Sequence, residues 1–409
     1  MGLLFALTWY GFYVQALGGL TAPFLAQDLA LDESQITALA GWIAIGAFGT
    51  AALTRLADRR GRRRVLLLCF AGLPPLSLAS TFATSEFSYV VPQIAVNALL
   101  GALLTALAVA VAERSLDARR ARDQGRFGFF AAMGGAIALG IGAAVPWLPG
   151  GWRSFWGVAA LPLVALPFVR ARLVETERFR DARADGRVAA ARVGDLLRGT
   201  YRRRALGLWT IALLRPVALT ATQTWPYYHM VKTLALSPAS ASLVYFVGGG
   251  VGLAGNYLGA RWTDTWGRRP TSLVGSLIAV ASGIAFFFVP RSSGPMLLPT
   301  LIAVMAVNQI TTSAFTVADR CIDAELFPTA LRATYLGGAR LMMAAAGVAA
   351  MFGLSVLAGP LGSLATAIAL LSIVTMLPAV AVFLWVVPET RGMSLEQASL
   401  EAGPDPRES

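Results

Sequence analysis

The chain has 409 residues, 56% of them hydrophobic and 14% charged, with a mean hydropathy of +0.63. Soluble domains carry about 25% charged residues, so a chain this apolar has too little polar surface to cover its core, and its solvent is lipid. A net charge of +12 suits a nucleic-acid binder, but the basic residues recur in every second connection between apolar runs, which excludes that class.

Runs of spanning length, about 17–25 residues each, predict membrane helices at 3–24, 36–54, 65–83, 89–112, 127–149, 154–169, 206–230, 240–260, 271–290, 296–318, 334–358 and 363–387. The sixth is the shortest, and two of them hold one arginine each, Arg215 and Arg340. Only Arg153, Lys232 and Arg291 fall in the odd-to-even connections, and twenty-nine of the 34 basic residues lie in the even-to-odd connections or the tail. This positive-inside bias places both termini in the cytoplasm; the expected location is the plasma (inner) membrane. Cys69 and Cys321 fall near cytoplasmic helix ends, where thiols stay reduced, so no disulfide is expected. The first run lacks a basic leader, so no cleavable signal peptide is expected either.

Between the second and third runs stands TRLADRRGRRR (Thr54–Arg64), and its core DRRGRR (Asp58–Arg63) recurs as DTWGRR (Asp264–Arg269). Glu113 with Arg120 recurs as Glu325 with Arg332, and LVETER (Leu173–Arg178) as VPETRG (Val387–Gly392), all at nearly one offset. Three motif pairs in one order point to a chain written twice, six spans per copy, the copies sharing one orientation. The expected organisation is a first bundle at 1–169, a basic cytoplasmic linker at 170–205 with some amphipathic helix on the anionic inner leaflet, a second bundle at 206–387 and a tail at 388–409. Gly61 and Gly267 permit a tight turn, and Asp58 and Asp264 sit where a carboxylate can face arginines and a helix N-terminus.

In the seventh run Arg215 lies about 13 Å from the start at 1.5 Å rise per residue, where an arginine costs roughly 2.5–3.5 kcal/mol on insertion scales. No acidic residue falls in the central part of any run, so Arg215 is expected without a buried carboxylate partner, a poor structural choice. Its counter-group is either an anionic cargo or backbone carbonyls freed by Pro216. In the tenth run Asn308, Thr312, Phe315 and Asp319 share one helical face, and Gln309 stands beside them. Arg340 is expected to snorkel at the inner rim.

DRRGRR and DTWGRR resemble the signature G-x-x-x-D-R-x-G-R-R of the major facilitator superfamily, with Thr54 and Ala260 in place of its first glycine. AELFPTALR (Ala324–Arg332), VPETRG and RARLVETERF (Arg170–Phe179) are similar to motifs of its sugar-porter and metabolite–proton symporter branches. The resemblance implies an all-α membrane protein of twelve transmembrane helices in two six-helix bundles with pseudo-two-fold symmetry. It also implies a cytoplasmic gate built from Asp58, Arg59, Gly61, Arg62, Glu113, Arg120, Asp264, Gly267, Arg268, Glu325 and Arg332, to which Asp319 is assigned; static anchoring of helix ends is the other reading. TWYGFY (Thr8–Tyr13) resembles the E-W-Y-D-F stretch of metabolite symporters, with Thr8 and Gly11 replacing both acids. Tyr227–Tyr228 look like the tyrosine pair of sugar porters.

The substrate-binding candidates are Trp9, Tyr13, Gln15, Arg215, Gln223, Trp225, Tyr227, Asn308, Gln309 and Thr312. The implied function is secondary active or facilitative transport of a small polar organic solute, an organic acid or a sugar-like metabolite, by alternating access. A drug or metabolite exporter of the same fold and a transport-silent sensor are the competing readings. No enzyme, metal site or cofactor is expected. The expected partners are the substrate, the bilayer and protons as a candidate coupling ion, although no mid-membrane carboxylate is evident to carry them. A monomer that binds no nucleic acid completes the expectation.

Overall fold

A computed structural model of the chain describes residues 1–115, 120–175, 193–197, 201–393 and 395–399; the side chains of Asp58 and Arg120 are not described. Hydrocarbon offers a backbone amide no partner but another backbone group, so spanning segments satisfy their amides internally. Among the described residues the chain is helical, with no strand, and twelve helices are long and apolar enough to cross a membrane. They are α1 (Gly2–Asp28), α2 (Glu33–Ala57), α3 (Arg62–Thr81), α4 (Glu86–Arg114), α5 (Arg122–Ala143) and α6 (Arg153–Arg172), then α7 (Tyr201–Thr233), α8 (Pro238–Thr265), α9 (Arg268–Phe287), α10 (Arg291–Glu325), α11 (Thr334–Leu361) and α12 (Leu364–Val386). The polar ends carry caps the sequence supplies: Asp32 accepts from the Gln35 amide at 2.7 Å while Gln35 accepts from the Asp32 amide at 2.9 Å. α6 is interrupted, its helices Arg153–Ala160 and Leu166–Arg172 being joined by a 3₁₀ stretch at Leu161–Ala165. The fragment 176–179 of the RARLVETERF motif, most of the expected linker and the end of the tail lie outside the described residues.

Two compact units result: Met1–Val188 with Tyr227–Leu243, and Ala189–Pro226 with Val244–Ser409. The end of α7 and the start of α8 thus group with the first unit. In that unit Tyr89 packs edge-on against Trp152 and Trp156, and Tyr10 against Phe70. In the second, Phe327 stacks on Tyr335 at 4.3 Å within a core that includes Leu208, Ile211, Ile322 and Phe383.

The repeat seen in the sequence reappears as repeated contacts. Gly61 (φ 101°) and Gly267 (φ 114°) take the left-handed conformation that lets α3 and α9 start at once after the turn. Glu175 then accepts from the Arg62 and Arg63 amides at 3.0 and 3.1 Å, and Glu389 from the Arg268 and Arg269 amides at 3.0 and 3.1 Å. A carboxylate on a helix N-terminus answers both its orphan donors and its dipole. The glutamates of LVETER and VPETRG are therefore helix caps, one in each copy. Arg62 pairs with Glu113 at 2.9 Å and Arg268 with Glu325 at 3.3 Å. Glu325 meets Arg268 because α10 ends beside the start of α9. Arg332 donates to the Phe327 carbonyl at 3.1 Å. Arg59 and Asp264 are exposed.

Helices α8 and α10 approach at backbone distance, since a Cβ on Gly255 would lie 2.3 Å from the Ile310 carbonyl oxygen and one on Gly259 2.5 Å from the Ala314 Cα. Small residues at such crossings let backbones make the van der Waals contacts that hold membrane helices together. Gly255→Val is expected to lower stability by about 1–3 kcal/mol through overpacking. Gly249→Ala, where an added Cβ meets nothing within 4 Å, is expected to leave it unchanged. Thermal unfolding of both variants in detergent, beside the wild type, checks the contrast.

Candidate functional site

The polar stripe on α10 faces α7. The two rungs of this contact lie two turns apart on each helix. At the upper rung Gln223 donates from Nε2 to the Thr312 hydroxyl at 3.1 Å. At the lower rung the Arg215 guanidinium donates to the Asp319 carboxylate in a direct ion pair. Eight residues on α7 and seven on α10 rise about 12 and 10.5 Å at 1.5 Å each, so two oppositely running helices keep both rungs in register.

Ser272 on α9 joins the lower rung. It accepts from Arg215 at 3.2 Å and donates to the other Asp319 oxygen at 2.5 Å. The Phe315 ring lies 5.4 Å from the guanidinium carbon, within cation–π range. One turn further along α10, Asp323 accepts from the Tyr335 hydroxyl at 2.6 Å, and the Tyr335 carbonyl accepts from the Trp209 indole of α7 at 3.1 Å. The Arg215 and Asp319 side chains retain 14% and 22% of their accessible surface. The pair is therefore compensated yet reachable. Such a pair can offer its guanidinium to another anion, provided the displaced carboxylate is itself neutralised so that no net charge is stranded in low dielectric.

The expectation that Arg215 lacks a resident carboxylate is overturned: Asp319, assigned from the sequence to the inner gate, is its ion-pair partner. The physical reason is that the tenth run was closed at its first charge, near 318, whereas α10 stays helical to Glu325. Asp319 therefore sits inside a helix. The face shared by Thr312 and Asp319 carried this information, since a Gln223–Thr312 contact forces Arg215 towards Asp319 two turns away. Ser272, Asp323 and Tyr335 gave no comparable signal, because one hydroxyl on a neighbouring helix has no spacing to announce it.

The other candidates are placed as follows. Asn308 is buried and donates to the Ala279 carbonyl at 2.7 Å, tying α10 to α9. Gln309 packs where Gly252 leaves room and points its amide at the Met305 sulfur at 3.8 Å. Trp225 and Tyr227 are each 1% exposed, and the Tyr227 hydroxyl reaches the Pro238 carbonyl at 3.4 Å. In the first unit Tyr13 is buried with its hydroxyl on the Phe155 carbonyl at 3.0 Å, Tyr10 likewise bonds Ala159 at 3.1 Å, Trp9 is half-buried and Gln15 is exposed. His229 is buried in a π-turn that closes α7.

The family model of the Major Facilitator Superfamily matches residues 1–297 and 220–408. A protein of Cupriavidus pinatubonensis named as a 4-methylmuconolactone transporter is 26% identical over 361 residues, covering 86% of this chain and 80% of that protein. YaaU of Escherichia coli, named as a metabolite transport protein, is 26% identical over 425 residues, covering 95% and 91%. A gallate transporter of Pseudomonas putida is 30% identical over 190 residues, covering 44% and 40%. Among solved structures, a D-xylose-proton symporter shares the fold with a TM-score of 0.70 at 18% identity, over 96% of this chain and 98% of that one. The nucleoside transporter NupG shares it at 0.73 and 14% identity, over 94% and 99%.

Removing one member of a part-buried pair leaves the other uncompensated, so Arg215→Met and Asp319→Leu are each expected to destabilise the protein by about 1–3 kcal/mol. The double variant is expected to be more stable than either single one. A double-mutant cycle from denaturant unfolding in detergent measures the coupling.

Proposed function

Because the chain belongs to the Major Facilitator Superfamily and is a multi-pass membrane transporter of small organic solutes, we propose that its cargo is an organic acid carried by alternating access, with Arg215 and Asp319 as the switchable pair in its path. The observation that carries this reading is the Arg215–Ser272–Asp319 cluster inside the second unit, compensated but accessible. A carboxylate cargo replaces Asp319 as counter-ion to the guanidinium, and a proton taken by Asp319 offsets the negative charge displaced. Anion and proton then move together at no net charge, which keeps the transfer affordable in a low-dielectric path. Gln223 and Thr312, two turns away, supply neutral donors and acceptors for the rest of a small polar molecule.

Support for an acid comes from the names of the relatives, a gallate transporter and a 4-methylmuconolactone transporter. The charge bias of the connections supports both termini in the cytoplasm. The DRRGRR and DTWGRR turns belong on that side, where their capped helices α3 and α9 serve as stiff elements for an inner gate.

The test is uptake of radiolabelled aromatic acids into proteoliposomes with and without an imposed pH gradient. Arg215→Gln is expected to lose at least tenfold in affinity, about 1.4 kcal/mol. Asp319→Asn, which holds the site in its uncharged form, is expected to bind the acid while ignoring the gradient. Equal uptake by wild type and Arg215→Gln, or uptake confined to neutral sugars, refutes the organic-acid reading.

A further inference from the structure

Away from the polar rungs, the first unit carries a cavity of about 1000 Å³ between the start of α3 and the end of α6. Its two ends differ in chemistry. Arg64, in the first turn of α3, and Arg170, in the last turn of α6, stand at the rim, and both are exposed. Leu67, Leu68, Leu166 and Pro167 line the part that lies deeper along the helices. From Arg64 to Ala71, the last lining residue on α3, the helix descends about 10 Å. The opening faces the hydrocarbon side of the unit, since Leu68, Val164 and Phe168 around it are 48%, 87% and 57% exposed.

The groove exists because α6 is interrupted. The 3₁₀ stretch Leu161–Ala165 and the proline at 167 take the end of α6 out of regular packing against α3. A third arginine, Arg63, holds the gap's shape: it donates from Nε to the Leu173 carbonyl at 2.6 Å and to the Arg170 carbonyl at 3.1 Å. Glu175, just past the end of α6, is already engaged by the Arg62 and Arg63 amides. Among the described residues the guanidiniums of Arg64 and Arg170 make no ion pair, so they keep their charge for an outside partner.

We propose that this groove is a binding site for one anionic phospholipid of the leaflet facing the arginine-rich turns. Its phosphodiester sits between Arg64 and Arg170, and an acyl chain lies along Leu67, Leu68, Leu166 and Pro167. The polarity gradient is what selects a lipid: cations at the membrane rim suit a phosphate, and an apolar floor below them suits a hydrocarbon chain. A free phosphate has no use for the floor. A neutral zwitterionic lipid gains little from two guanidiniums, because its own ammonium competes for the phosphate. Basic residues near such a surface contribute most of the attraction to anionic lipid, and pockets between membrane helices on the basic side are where headgroups lodge. The bound lipid bridges α3 and α6 at the point where their own packing is broken.

The test uses the full-length protein, purified in detergent and delipidated, with phosphatidylglycerol, phosphatidylcholine and glycerol phosphate as probes. Native mass spectrometry counts bound molecules, and thermal unfolding reads their effect. Phosphatidylglycerol is expected to bind at one preferred site and raise the melting temperature, whereas phosphatidylcholine and glycerol phosphate do neither. Arg64→Gln/Arg170→Gln, both exposed positions, is expected to weaken phosphatidylglycerol binding at least tenfold. Arg202→Gln/Arg261→Gln, which removes the same charge at exposed sites elsewhere, is expected to retain it. Equal binding by both double variants, equal binding of phosphatidylcholine, or an equal effect of glycerol phosphate each overturns the proposal.

Discussion

Hydrocarbon cannot solvate an amide or a charge, and this one constraint shapes each level of the protein. For the backbone it leaves the helix as the one segment that satisfies its own amides without a neighbour, and it fixes the length of each helix by the thickness to be crossed. At helix ends, where four donors and four acceptors go unanswered, the chain spends its acids: Asp32 caps α2, and Glu175 and Glu389 cap α3 and α9. For a side chain deep in a span the same constraint demands a partner, and Arg215 finds two, Asp319 and Ser272.

The duplicated half of the design and its unduplicated half do different work. Turn glycines, capping glutamates and the Arg62–Glu113 and Arg268–Glu325 pairs occur once in each copy. They fix where helices begin and end, and a rigid bundle needs them in both copies. Among the described residues the intramembrane ion-paired site occurs only in the second. In the first, the interiors of α1 and α4 contain no acidic or basic residue, and their polar groups, such as those of Tyr10 and Tyr13, are spent on neighbouring carbonyls. A repeat supplies a scaffold cheaply, but an exchangeable charge pair is costly in lipid and is built once.

Small residues decide how closely helices approach, and through that where the polar atoms meet. The contact of α8 with α10 at Gly255 and Gly259 sets the position of the helix that carries Thr312, Phe315 and Asp319. Asn308, buried and bonded to Ala279, fixes the rotation of the same helix from the opposite side. Between these two constraints the stripe is aimed at α7. The hydrogen bonds of Gln223 and Arg215 follow from that aim.

Periodicity, hydropathy and charge in the sequence were enough to specify twelve spans, two like copies and a basic side, because these depend on the solvent and on spacing along one helix. The stripe Asn308, Thr312, Phe315 and Asp319 and the buried arginine were legible for the same reason. What stayed hidden was every relation across helices: that Asp319 answers Arg215, that Ser272 joins them, that Asn308 and Tyr13 are spent on packing, and that the glutamates of the two E-T motifs are caps. Helix ends inferred from the first charge stop too early when a charge is buried and paired. Pairing is a property of two helices at a given rotation and distance, and only the packed structure sets those.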